Sequence, residues 1–227
     1  MTIIQAKAFT KITREIIVAT KAGGGDPDSN FQLRLAVQKA KEINMPNDNI
    51  NRAIKRGLGS SDADQYEEII YEGYGAAGVA FLVQTLSDNR NRTASEMRYL
   101  FSRNNGNLGE TGCVAWLFDP KGVITVLKEN VNLDEEQLFE LALEAGAEDL
   151  RNEEDYYEII TEPSELEQVR NYLDGKVTIE DASLSYLPKN TVEVSGEDAE
   201  SLVKLVDALE EHDDVQNVYA NFEVVEE

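Results

Sequence analysis

The sequence predicts an α+β protein: an N-terminal three-helix bundle followed by two ferredoxin-like α/β sandwich domains, one inserted in the other. Apolar residues recur at steps of three and four as far as about residue 56, and the pattern then changes to short strand-like runs alternating with helices. The charge changes sign at the same boundary. Residues 1–60 hold ten Lys/Arg against five Asp/Glu and residues 61–227 hold eleven against thirty-nine, so a chain of net charge −23 divides into +5 and −28.

The first helix is expected over residues 3–21, with Ile4, Ala8, Ile12, Ile16 and Ala19 on one face. Lys7, Lys11, Arg14 and Lys21 fall on a second face about 130° away at 100° per residue. Gly23, Gly24 and Gly25 end this helix, Pro27 blocks its continuation, and Asp28, Ser29 or Asn30 is placed to cap the next. A joint between helices explains these glycines better than a phosphate-binding loop, because no strand precedes them and no Lys-Ser/Thr pair follows. The second helix, near Phe31 to Ile43, buries Leu33, Ala36, Val37 and Ala40 and turns Arg34, Lys39 and Lys41 outward. Pro46 suits the first turn of a third helix, which runs to about Arg56 with Ile50, Ala53 and Ile54 inward, Arg52, Lys55 and Arg56 on the other side, and Gly57 as its stop.

Beyond a linker at residues 57–62, Glu67–Tyr71 and Val79–Leu86 read as strands, the second almost wholly apolar and therefore central. Thr93-Ala-Ser-Glu96 has the pattern of a capping box opening a helix that buries Ala94, Met97 and Phe101. Cys113–Phe118 is expected as the next strand. Residues 122–187 then give strand, helix, strand, strand, helix, strand, the ferredoxin-like order. A final helix burying Ala199, Leu202, Val203, Val206 and Leu209 precedes a strand with Val218, Ala220, Phe222 and Val224 alternating. Residues 61–119 lack a closing helix and strand that 189–227 supply. Three domains follow: a basic bundle at 1–60, an interrupted α+β domain at 61–119 with 189–227, and an acidic inserted domain at 120–188. Two contiguous domains with a tail are the less economical alternative.

Composition narrows the functional classes. With 41% hydrophobic residues and a mean hydropathy of −0.41 the chain reads as an ordinary soluble protein. No run approaches the roughly 18 apolar residues of a membrane span, and Lys7, Lys11, Arg14 and Glu15 occupy the place of a signal peptide's apolar core, so a cytoplasmic protein without membrane partner is expected. One cysteine, Cys113, excludes an internal disulfide. One histidine, His212, in an acidic helix end, reads as a solvated or capping residue rather than a catalytic base or zinc ligand. No enzyme activity, cofactor, metal site or small-molecule substrate is expected.

The cations carry the remaining information. Lys7, Lys11, Arg14, Lys21, Arg34, Lys41, Arg52, Lys55 and Arg56 are candidate phosphate contacts, and the alternative is a basic bundle docked on the protein's own acidic domains. Arg90 and Arg92 stand just ahead of an expected helix N-terminus, where the helix dipole disfavours cations. A phosphate shared by these arginines and the free helix N–H groups accounts for them, as does pairing with Asp88 or Glu96. Tyr71 and Tyr74 either stack on bases or roof the core. A small +5 block facing a large acidic remainder favours a shaped RNA site over long duplex DNA.

Six motifs occur in order: Lys7-Ala-Phe-Thr-Lys-Ile12, Gly23-Gly-Gly-Asp-Pro27, Asn44-Met-Pro-Asn-Asp-Asn-Ile-Asn-Arg-Ala-Ile-Lys-Arg-Gly57, Tyr71-Glu-Gly-Tyr-Gly75, Asp88-Asn-Arg-Asn-Arg-Thr93 and Gly106-Asn-Leu-Gly-Glu-Thr-Gly112. Together they resemble the YebC/PmpR family, while the acidic second half matches only in pattern. The resemblance implies a three-domain protein of the bacterial cytoplasm, without catalytic activity or cofactor. It implies a DNA-binding transcriptional regulator, or a ribosome-associated factor that eases synthesis of proline runs, as for the related mitochondrial translational activator. DNA or ribosomal RNA is then the expected partner. The family usually carries a basic segment ahead of the position of Lys7; here Met1-Thr-Ile-Ile-Gln-Ala6 stands there, so phosphate contacts from such an arm are expected to be absent. Ala76-Ala77 stands where Gly or Pro is common, a tolerated loop change.

Overall fold

A computed structural model describes residues 3–59 and 66–225, with side chains described from Lys7 onward. The expected side-chain position of Ile4 and residues 60–62 of the linker lie outside the described residues. The chain folds as two compact units, a larger one of residues 1–117 with 188–227 and a smaller one of residues 118–187.

The larger unit begins with α1 (Ile3–Gly23), α2 (Phe31–Glu42) and α3 (Asn47–Leu58). Ile16, Ile17, Leu33, Ala36, Ala40, Ile50 and Ala53 form their shared core. The sharp joint between α1 and α2 is built on Asn30. Its side-chain oxygen caps α2 by accepting from the Leu33 amide, while its side-chain NH2 donates to the carbonyls of Ala19 and Gly24. Gly57 does not stop α3 but lies inside it. A Cβ there would meet the Thr20 Cβ at 2.6 Å and the Ile17 carbonyl oxygen at 2.9 Å, so the glycine permits close packing of α3 on α1.

The chain continues through β1 (Glu67–Tyr74), β2 (Ala80–Ser87), α4 (Arg90–Arg103) and β3 (Asn107–Leu108). β1 and β2 form an antiparallel hairpin whose bend contains Ala77 at φ 54°, a left-handed backbone that a Cβ disfavours. α4 starts four residues earlier than the Thr93 capping pattern suggests. Asn89 is the cap, accepting from the Arg92 amide, and this places Arg90 and Arg92 within the first turn.

Of the strand expected at Cys113–Phe118, only Phe118 is in a strand, and residues 113–117 are not. The carboxylate of Glu72, only 5% exposed, accepts from the amides of Gly112, Val114 and Ala115 at 2.6, 2.8 and 2.8 Å. These amides therefore curl around one anion instead of joining a ladder, and a short 3₁₀ turn follows at Ala115–Leu117.

The smaller unit comprises β4 (Phe118–Leu127), α5 (Glu135–Ala145), β5 (Asp149–Asn152), β6 (Tyr156–Thr161), α6 (Leu166–Leu173) and β7 (Asp181–Pro188). Its sheet order, β5-β6-β4-β7, is the ferredoxin-like one. A full capping box opens α5, where Asp134 and Gln137 each accept from the other's backbone amide. β4 runs straight through Asp119-Pro120, and the last strand starts at Asp181 rather than Val177.

Within the larger unit, Lys189 donates its amide to the Leu117 carbonyl at 2.9 Å, so the chain returns beside the point it left. β8 (Val192–Val194), α7 (Gly196–Glu210), β9 (Val215–Ala220) and β10 (Phe222–Val224) complete that unit. Its sheet order is β3-β1-β2-β9, and β8 pairs in parallel with β10. The unit shares the α/β sandwich layering of the insertion but begins on a hairpin. Phe81, Val83, Met97, Phe101, Leu202, Leu205, Leu209 and Val215 fill its core, with the Phe81 and Phe101 rings edge to face at 5.9 Å. Leu205 takes the inward position expected for Val203, which is 45% exposed. β9 and β10 are separated at Asn221, whose side-chain oxygen accepts from the Ala80 amide at 2.7 Å.

Candidate nucleic-acid interface

The eleven cations selected from the sequence fall into two groups. Lys7, Lys11 and Arg14 lie one turn apart on α1 and face the C-terminal end of α7. Lys7 Nζ donates to the Glu211 carbonyl at 3.2 Å, Lys11 Nζ to the Glu210 carbonyl at 2.5 Å, and Arg14 to the Asp213 carbonyl at 2.6 Å. Glu210 ends α7 and Glu211 caps it; such last carbonyls have no internal partners and carry the negative end of the helix dipole, so Lys7 and Lys11 stabilise them while Arg14 holds the turn that follows. Burial pushes the Lys11 ammonium pKa down, against the opposing pull of Glu210 and Asp213.

Arg14 also reaches the Asp214 carboxylate at 2.6 Å and stacks on Tyr66, its guanidinium carbon 5.2 Å from the ring centre. The Asp214 side chain is 3% exposed. Its second oxygen accepts from Arg92 at 2.8 Å and from the Thr93 hydroxyl at 2.7 Å. Burial alone pushes the Asp214 carboxyl up, but hydrogen bonds from Arg92 and Thr93 and the Arg14 charge outweigh it and hold the pKa below its ordinary value. Arg92 in turn is raised, chiefly by the Asp214 hydrogen bond. It also bonds Asp88 at 2.9 Å, and Arg90 pairs with Glu67 at 3.1 Å. Thus both arginines at the start of α4 have carboxylate partners.

His212 extends this network. Its Nδ1 accepts from the Asp214 amide, so the neutral ring carries its proton on Nε2, which faces Glu96 Oε2 at 2.7 Å. Glu96, His212 and Asp214 bring one potential ligand atom each within 4.8 Å of one another. A cation there would displace two guanidinium groups from Asp214, and the arrangement is better described as an ion-pair hub.

The remaining cations are not gathered with these. Arg34 donates to the carbonyls of Pro27 and Asp28 and lies over the Phe31 ring, which supports the α1–α2 joint. Arg52 bonds the Asp48 carbonyl and Asn49 side chain of its own helix. Lys21, Lys41, Arg52, Lys55 and Arg56 are all exposed, and Arg52, Lys55 and Arg56 share one face of α3 at steps of three and four. Tyr71 and Tyr74 direct their hydroxyls to the carbonyls of Arg90 and Cys113. Sequence patterns assign no role to Asp214 or Glu72, and they mark Thr93 as a helix cap rather than as a donor to Asp214. Only Glu72 left a signal, as an acid in the middle of a strand next to a glycine-rich motif.

The described residues build a three-helix module and two α/β sandwiches, one inserted in the other. The chain belongs to the TACO1/YebC family. Residues 4–60 match the TACO1/YebC N-terminal domain, and residues 66–222 match its second and third domain. A protein of Pelotomaculum thermopropionicum named a probable transcriptional regulatory protein is 56% identical over 97% of this chain and 91% of its own length. One of the same name from Natranaerobius thermophilus is 55% identical over 97% and 89%. The crystal structure of a conserved hypothetical protein from Aquifex aeolicus, 48% identical, superposes with a TM-score of 0.91 over 99% of this chain and 93% of that one. Among the described residues no helix is long and apolar enough to cross a membrane.

Proposed function

We propose that this protein is a non-enzymatic, cytoplasmic regulator of gene expression that binds nucleic acid through the outer face of its N-terminal bundle. The observation that carries this reading is the segregation of charge within the bundle itself. Lys7, Lys11 and Arg14 are drawn to the end of α7 and the turn after it, whereas Lys21, Lys41, Arg52, Lys55 and Arg56 are exposed on the bundle's outer surface. A surface of this kind neutralises phosphates without reading base edges, so it positions the protein rather than selecting a sequence. The names of the relatives support DNA as the target. A ribosomal RNA site is the second reading, favoured by the −28 carried by residues 61–227, which opposes long duplex DNA while leaving a compact basic end free to bind.

The test is co-sedimentation of the protein with bacterial ribosomes at physiological salt, in the presence of excess duplex DNA. Retention on ribosomes assigns the protein to translation, and transfer to the duplex assigns it to transcription. In either case the Arg52/Lys55/Arg56 triple alanine variant is expected to lower the slope of log K against log salt by about 2 to 3. Binding to neither, or binding indifferent to salt, overturns the reading.

A further inference from the structure

The loop that closes around Glu72 and the end of β1 beside it present two aromatic side chains for which the bundle-based reading has no use. Trp116, the single tryptophan of the chain, is 65% exposed, and Tyr74 is 37% exposed. Both polar groups are spent on one atom: Trp116 Nε1 and Tyr74 Oη each donate to the Cys113 carbonyl at 3.1 Å. What these side chains still offer to solvent is ring surface. The backbone beneath them is fixed, because the Glu72 carboxylate takes the amides of Gly112, Val114 and Ala115, and the Glu72 carbonyl accepts from Gly109. Those amides are consequently closed to a bound anion, so the loop is not a phosphate nest.

We propose that Trp116 and Tyr74 form a stacking platform for an unpaired base of single-stranded nucleic acid. An exposed aromatic held in place loses little side-chain entropy when a base covers it, and every base has a π-face to offer. Charge around the loop fits a polyanion. It is reached from α4 through β3, and the C-terminal half of α4 carries Arg98 and Arg103 with no acid. Arg98 and Arg103 are exposed, and Arg103 bonds the hydroxyl of Tyr99, itself 59% exposed. On the far side, Lys189 is placed next to the loop by its amide bond to Leu117. Glu110 is the exposed carboxylate of the loop, and its repulsion is local. The platform rests on the nucleic-acid reading above and adds to it a contact with unpaired bases, where the bundle contacts only backbone.

The lone tryptophan makes the platform directly observable. The full-length protein would be titrated with a ten-nucleotide single strand, in RNA and DNA arms, and with the corresponding duplex, while Trp emission and the anisotropy of a labelled strand are followed together. Single strands are expected to quench at least about half of the emission and the duplex much less. Trp116→Ala is expected to weaken single-strand binding about tenfold and Trp116→Tyr less than about threefold, with far-UV circular dichroism unchanged. Binding seen by anisotropy with unaltered emission and an unaffected Trp116→Ala variant overturns the platform but leaves the bundle reading standing. Equal quenching by duplex, or quenching by an apolar peptide and not by the strands, also overturns it. Absence of binding to any strand or duplex overturns both.

Discussion

Arg14, in the middle of the first helix, holds the carboxylate of Asp214 at 2.6 Å across 200 residues of sequence. This pair fastens the N-terminal bundle to the turn between α7 and β9, and Arg92 and Thr93 complete the shell around the same carboxylate. A basic residue chosen for phosphate binding is thus part of the interior framework.

Replacing Asp214 by Asn leaves Arg14, with its side chain only 12% exposed, without its counter-charge. The expected loss is about 3 to 5 kcal/mol, read from urea unfolding at pH 7. Because the folded carboxyl titrates below its ordinary value, its contribution is fully present above the unfolded pKa of about 3.9 and decays as the pH falls through the folded one. The stability gap between wild type and Asp214→Asn should therefore be constant from about pH 5 to 7 and narrow in stronger acid. A gap that grows on acidification contradicts this assignment.

Gly57→Ala sets helix propensity against packing. Propensity alone favours Ala by about 1 kcal/mol. The new Cβ would meet Thr20 and the Ile17 carbonyl oxygen inside normal contact distance, and a backbone oxygen cannot swing aside. Net destabilisation of about 1 to 3 kcal/mol is expected, measured by thermal or urea unfolding.

Ala77→Gly should act in the opposite direction. Ala77 sits at φ 54° with an exposed side chain, and a left-handed alanine costs roughly 1 to 2 kcal/mol. Glycine removes that strain while giving back about 0.5 to 1 kcal/mol of unfolded-state entropy. A gain of about 1 kcal/mol and a melting temperature a few degrees higher are expected.

Glu72→Ala deprives three amides of their common acceptor. Hydrogen exchange at Gly112, Val114 and Ala115 should accelerate while that of β2 stays slow, and Trp116 emission should change without added ligand. Each lost charge-assisted bond is worth about 1.5 to 3 kcal/mol, so global stability should fall as well. Unaltered exchange in the loop would show that the carboxylate does not organise it.

Much of the architecture was legible in the sequence because it depends on local regularities. The steps of three and four that marked α1 to α3, the βαββαβ succession read over residues 122–187, and the change of charge near residue 60 are all properties of neighbours along the chain. The same regularities misjudged the stretch Cys113–Phe118, whose apolar run looked like a strand. Its amides are claimed by Glu72, some 40 positions earlier in the chain, and no local pattern records that.

The sequence by itself determined that this chain carries a basic helical module on an acidic α+β body, and its motifs pointed to the family. Only the tertiary structure decided how the cations divide. Lys7, Lys11 and Arg14 have the same spacing and chemistry as a phosphate-binding stripe, yet they meet the carbonyls at the end of α7 and the buried Asp214. Arg52, Lys55 and Arg56, equally basic, are exposed on one face of α3. Periodicity fixes which residues share a helix face; what that face meets depends on groups about 200 residues away, brought together by burial of the cores they flank.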